Sequence, residues 1–141
     1  MSKTFITKSS EETVSLGNEI GRKLLGGEVI FLTGDLGGGK TQFAKGVALG
    51  LGIKETVVSP TFTIERIYKG SKLTLHHFDM YRLTNDREIT EVIKELSSSS
   101  DEATVIEWPE NLEGIHSLAT TKIIFEHIDE NSRKISIEEI K

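Results

Sequence analysis

The stretch VIFLTGDLGGGKT, Val29 to Thr41, constrains this chain more than any other feature. Val29-Ile30-Phe31-Leu32-Thr33 is a continuous apolar run bounded by glycines, which suits a strand buried on both faces of a parallel sheet. Gly34-Asp35-Leu36-Gly37-Gly38-Gly39-Lys40-Thr41 then fits the pattern G-x-x-x-x-G-K-[ST]. Thr41 to Leu51 continues as a helix, with Phe43, Val47 and Leu51 at helical spacing and Gly52 at its end. Strand, glycine loop and helix together form the context that such a match requires. At average residue usage the four fixed positions coincide by chance in about one chain of this length in a few hundred, and the context makes chance rarer.

A phosphate group explains why these residue types stand at this spacing. Glycines let backbone N–H groups curl around an anion without Cβ clashes. The helix N-terminus adds partial positive charge. A lysine at position 40 reaches β- and γ-phosphates, and a hydroxyl at position 41 binds magnesium.

The remaining pattern predicts an α/β fold. Thr4 to Thr7 reads as a short strand, and Ser9 with Glu12 has capping-box spacing at the start of a helix. That helix is expected to place Val14, Gly17, Gly21, Leu24 and Leu25 on one face and to end at Gly26-Gly27. Thr63–Tyr68 and Lys72–Phe78 alternate on either side of Lys69-Gly70-Ser71, a hairpin signal. Glu88–Leu96 is a short helix, and Thr104-Val105-Ile106 is another buried-strand run. The serine run Ser97–Ser100 with Asp101-Glu102 reads as an exposed loop. Lys122–Ile128 and Arg133–Ile140 form a second hairpin signal. The expectation is a P-loop NTPase-like mixed sheet, a parallel core with antiparallel hairpins, flanked by helices in one domain over residues 1–141.

Bulk properties narrow the partners. A formal net charge of -5 argues against broad, unaided binding to nucleic acid, whose affinity is dominated by phosphate neutralisation. With no cysteine, disulfides and thiolate metal sites are excluded. No apolar stretch approaches the length of a membrane span, and the first residues lack the apolar core of a secretory signal. The expected location is the cytoplasm.

A nucleotide site of this kind needs an acidic group for magnesium or water at the end of a buried strand. Asp79 ends Leu73–Phe78 and Glu107 ends Val105-Ile106, so both are candidates. Ser59-Pro60-Thr61-Phe62-Thr63 follows the loop helix, where a switch senses the γ-phosphate in related folds, and Thr61 is the natural sensor. His76 and His77 are adjacent and face opposite sides of a strand, which suits packing or hydrogen bonding and not a two-histidine metal site. Trp108, the only tryptophan, stands between Glu107 and Pro109.

The loop, Ser-Pro-Thr-Phe-Thr, His-Phe-Asp-Met-Tyr-Arg and Glu-Trp-Pro-Glu occur in that order, and together they resemble the TsaE family. The resemblance runs from about Ser9 to Trp108, with a weaker echo at Arg133 to Ile137. It implies a small bacterial ATPase of tRNA threonylcarbamoyladenosine biosynthesis. It also implies the partners, a heterodimer of the TsaD and TsaB proteins, with tRNA reached only through them, and the cofactors ATP and Mg2+. The family's loop residues fall on Gly37, Gly38, Gly39, Lys40 and Thr41, its His-x-Asp-x-Tyr-Arg on His77, Asp79, Tyr81 and Arg82, and its Glu-Trp on Glu107 and Trp108. Ser10 and Arg133 are similar to positions near the adenine. Gly38 stands where the family usually has Ala, and Gln42 where it often has Thr. The roles implied are Thr41 and Glu107 on the metal, Asp79 on the attacking water directly or through the metal, and Thr61 on the γ-phosphate.

Two other functions share parts of this pattern. A small-molecule kinase has the same loop but carries an arginine-rich lid, whereas the five arginines here, at 22, 66, 82, 87 and 133, do not cluster as one. A GTP-dependent switch needs Asn-Lys-x-Asp to specify guanine, and the chain has none. The sequence offers no obvious in-chain arginine finger, Arg82 being the nearest candidate, so slow turnover without partners is expected.

Overall fold

A computed structural model describes residues 2–35, 39–57 and 64–140. Among these residues seven strands form one mixed sheet: β1 Ser2–Thr7, β2 Val29–Gly34, β3 Glu65–Lys69, β4 Thr74–Asp79, β5 Glu102–Glu107, β6 Thr121–His127 and β7 Arg133–Glu139. Their order is β1-β7-β6-β2-β5-β4-β3. The four central strands β6, β2, β5 and β4 are parallel, while β7, β1 and β3 join antiparallel at the two edges. The expected parallel core with antiparallel hairpins is therefore present.

The helices are α1 Ser10–Lys23, α2 Lys40–Gly50 and α3 Arg87–Leu96. Strand alternation separates two apolar clusters. Leu16, Phe43 and Val47 of α1 and α2 pack with Ile30, Leu32, Leu75 and Val105 on one face. On the other face, Ile93 and Leu96 of α3 pack with Val29, Phe31, Phe78 and Ile106. β2 supplies residues to both clusters, as a strand buried on both faces must.

The start of α1 is close to the expected capping box: Ser9 Oγ accepts from the Glu12 N–H at 3.1 Å. The Glu12 carboxylate accepts from Lys8 N–H at 2.8 Å, one residue before the cap. Two details of α1 differ from the sequence expectation. The helix ends at Lys23, because Leu24 turns to extended backbone and its N–H returns to Gly21 O. Its buried stripe is Thr13, Leu16, Gly17 and Gly21, while Val14 is only half-buried and Leu25, beyond the helix, is 80% exposed. The stripe follows the glycines, since α1 meets α2 backbone to backbone. A Cβ on Gly17 would lie 2.2 Å from Phe43 O, and one on Gly46 would lie 2.0 Å from Val14 O.

Candidate functional site

Parallel strands β2, β5 and β4 all end at one edge of the sheet, and the chain turns there from β2 into α2. Gly34 closes β2 at φ 146°, and a Cβ on it would stand 2.6 Å from the Phe125 carbonyl oxygen. Gly39 precedes α2 in the left-handed region at φ 99°, with no side chain capping the helix. The N-terminus of α2 thus carries no side-chain cap, the arrangement that favours anions. Gly37 and Gly38 lie outside the described residues.

Lys40 opens α2 and is only 4% exposed. Its Nζ donates to Gly34 O at 2.8 Å and stands 4.2 Å from the centroid of the Trp108 ring. Burial pushes its pKa below the usual lysine value, and Glu107, Asp79, Glu110 and Asp35 oppose that shift in descending order. Desolvation thus outweighs the surrounding negative charge. An ammonium in that condition gains more than an exposed one from an anion placed beside it. Thr41 follows on the first turn of α2 and is half-buried.

The two candidate acids come together at the sheet edge. Asp79 of β4 and Glu107 of β5 are register partners on adjoining parallel strands, and Glu107 is also paired with Leu32 of β2. Both are buried, and both act electrostatically on Lys40. Asp79 Oδ1 accepts from Tyr81 N–H at 2.9 Å, which folds the turn after β4 back onto the carboxylate. Met80 N–H donates to Glu107 O at 3.0 Å, and Asn111 Nδ2 donates to Met80 O at 2.7 Å. These bonds tie the exits of the two strands together.

Trp108 adopts φ 59° and ψ 49°, a left-handed conformation uncommon for so large a side chain. That turn lays its ring over Lys40 and 5.0 Å from the ring of Tyr81. Arg133 opens β7, and its Nη1 donates to the carbonyls of Asp129 and Ser132. A Cβ on Gly39 would lie 3.7 Å from Arg133 Cγ and 3.8 Å from Thr13 Cγ2, so Arg133 and the first turn of α1 both border the start of α2. Ser10 begins that first turn and is exposed. Thr61 lies outside the described residues.

The two histidines separate as alternation requires. His76 is held between Glu65 and Glu102, at 2.8 and 2.7 Å, on the α3 face. His77 is fully buried on the opposite face with its Nε2 2.7 Å from Glu107 Oε2. The residues alone suggested packing or a hydrogen bond for His77, and the family resemblance put it in the His-x-Asp-x-Tyr-Arg motif without a role of its own. Its partner is 30 residues away, and only the β4–β5 register brings the two together.

Among the described residues, no group of three or more His, Cys, Asp or Glu converges as a metal cage. The donor set is a hydroxyl on the first turn of α2 and a carboxylate at a strand end. It fits magnesium, which keeps several waters and takes one or two protein oxygens alongside substrate phosphates. No helix among the described residues is long and apolar enough to cross a membrane.

The family described as "Threonylcarbamoyl adenosine biosynthesis protein TsaE" matches residues 7–135. A tRNA threonylcarbamoyladenosine biosynthesis protein TsaE from Treponema pallidum is 36% identical over 132 residues, covering 94% of this chain and 97% of that protein. The Synechocystis protein of the same name is 38% identical over 112 residues, 77% of this chain and 71% of the relative. The crystal structure of Bacillus subtilis YdiB superposes with a TM-score of 0.80 at 26% identity, covering all of this chain and 87% of that one.

Proposed function

The chain belongs to the TsaE family and has a role in threonylcarbamoyladenosine biosynthesis, and on that premise we propose that it is a magnesium-dependent ATPase. In this reading it acts in the cytoplasm on the TsaD–TsaB complex and supports repeated rounds of tRNA modification. The observation that carries the reading is the meeting of buried Lys40, at the N-terminus of α2, with the register-paired carboxylates of Asp79 and Glu107.

Lys40 and the N–H groups of Gly37, Gly38 and Gly39 hold the β- and γ-phosphates, and Thr41 and Glu107 hold magnesium. Bound there, the ion supplies charge neutralisation on the phosphate oxygens. Asp79 positions or activates the attacking water, directly or through the metal, and Thr61 senses the γ-phosphate. Trp108 borders the nucleotide through its contact with Lys40. Ser10 and Arg133 lie towards the adenine, a reading supported for Arg133 by its place beside Gly39 at the start of α2. Alignment and charge stabilisation provide the acceleration, as in other phosphoryl transfers. Turnover by the isolated protein is slow.

The test is multi-turnover formation of threonylcarbamoyladenosine on tRNA by TsaD–TsaB, with wild-type protein or Lys40→Ala added. Product beyond one equivalent only with the wild type is the expected result. Equal product with either form, or with neither, would refute the proposed role.

A further inference from the structure

His77 spends its hydrogen bond on Glu107 under conditions that packing alone does not explain. The ring is fully buried, two residues before Asp79 on the same face of β4, and its Nε2 lies 2.7 Å from a carboxylate that is itself 4% exposed. A carboxylate oxygen can only accept, so Nε2 carries the proton and donates. The other ring nitrogen, Nδ1, is buried with no partner among the described residues. An unpaired buried nitrogen is destabilising, and an apolar side chain would fill a site beside Leu75 and Val105 without that penalty. The imidazole is therefore retained for the bond it makes.

That bond fixes the carboxylate. Glu107 ends a strand, and its side chain has rotatable bonds that register does not control. With Oε2 held by His77, one oxygen is committed to the protein, and Oε1 is the oxygen left to act as a donor to a cation. We propose that His77 is the positioning residue of this site: through Nε2–H it orients Glu107 so that the carboxylate presents one oxygen to a divalent cation. The inference rests on the reading above, that Glu107 binds magnesium. Residues that hold a metal ligand in this way typically account for 10–100-fold in metal affinity.

The test compares His77→Leu, His77→Gln and His77→Asn. Gln places an amide nitrogen the same number of bonds from Cα as Nε2 and can restore the donor, while Asn reaches only as far as Nδ1 and cannot. Binding of a fluorescent ATP analogue is titrated with magnesium and repeated in EDTA. Leu and Asn are expected to raise the half-saturating magnesium concentration by about 10-fold or more, with binding in EDTA unchanged. Gln is expected to stay within about threefold of wild type. If Leu does not fold, the Gln–Asn pair decides. A wild-type magnesium dependence in folded Leu or Asn would overturn the proposal, as would an equal loss of binding with and without magnesium.

A second readout needs no ligand. The 15N imidazole spectrum of the free protein should show His77 as the Nε2–H tautomer, with a signal that shifts in Glu107→Gln. A Nδ1–H tautomer would refute the assignment. The underlying reading fails separately: if Glu107→Gln leaves the magnesium dependence of nucleotide binding intact, Glu107 is not a ligand, whatever His77 does.

Discussion

Gly17→Ala is expected to destabilise the protein, although an alanine in mid-helix ordinarily does the reverse. On helix propensity alone the substitution gains about 0.8–1.0 kcal/mol. In α1, however, the new Cβ would lie 2.2 Å from Phe43 O and 3.0 Å from Val47 N, both backbone atoms of α2. Neither can swing away as a side chain could, so the helices must part by about 1 Å for the contact to become tolerable, and backbone shifts of that kind cost about 1–3 kcal/mol. The same seam is closed by Gly21, Gly46 and Gly50, whose added Cβ atoms would meet Val47 O, Val14 O and Asn18 O at 2.3, 2.0 and 2.6 Å. Separation at Gly17 therefore loosens the neighbouring contacts too, and the clash falls at the upper end of its range. The net loss is about 1–2 kcal/mol, or roughly 3–7 °C in Tm for a chain of this size.

Thermal unfolding followed by far-UV circular dichroism is the assay, with Ser15→Ala as the control. Ser15 is exposed on the same helix, and its substitution should stay within about 0.5 kcal/mol of wild type. A Gly17→Ala protein as stable as wild type, or more stable, would refute the close-packed seam.

Two further outcomes follow from the charges. Lys40→Met should raise the Tm of the nucleotide-free protein by a few degrees while abolishing nucleotide binding. Burial holds the folded-state pKa of Lys40 below its ordinary value of 10.5, so charging it costs folding stability. That penalty is present below the folded-state pKa and fades as pH rises from it towards the ordinary value. A fall in Tm for Lys40→Met would show that the bond to Gly34 O and the contact with Trp108 outweigh desolvation. The bond from His76 holds Glu102 below its ordinary value of 4.5, helped by Ser99. The stability it brings is present above that value and is lost as pH falls through the folded-state pKa. Glu102→Gln should therefore be less stable than wild type at pH 7, with a gap that closes on acidification. A gap that widens as pH falls would contradict the assignment.

What could be read from the sequence divides by the range of the interaction. β2 and α2 were legible because a buried parallel strand is apolar throughout and the helix after it carries apolar residues at helical spacing. Both hairpins were legible from alternation about short polar turns. The face of α1 was legible in part: Gly17, Gly21 and Leu24 are buried as expected, whereas Val14 is half-buried, Leu25 is exposed, and Thr13 and Leu16 were missed because the seam is made by glycines that shift the stripe without a hydrophobic signal. Asp79 and Glu107 could each be picked out as strand-end acids, but nothing local showed that they are register partners. The left-handed turn at Trp108 and the bond from His77 to Glu107 depend on register and tertiary context, to which single-sequence patterns are blind.

The site is assembled from two separately supported parts, and this bears on how it could work. The acids belong to the sheet: Asp79 and Glu107 are fixed by the β4–β5 ladder, by Met80 N–H bonded to Glu107 O, and by His77 beneath. The cationic half belongs to α2, whose lengthwise position is set by backbone contact with α1 along the glycine seam. At the site itself the direct bond from Lys40 to Gly34 O and the Trp108 ring join the two, while further along α2 Phe43 and Val47 pack on the sheet. Widening the seam should therefore shift Lys40 relative to the carboxylates while each half keeps its own geometry. Gly17→Ala is then expected to impair turnover more than nucleotide affinity, because binding can follow α2 but alignment of phosphate against Asp79 cannot.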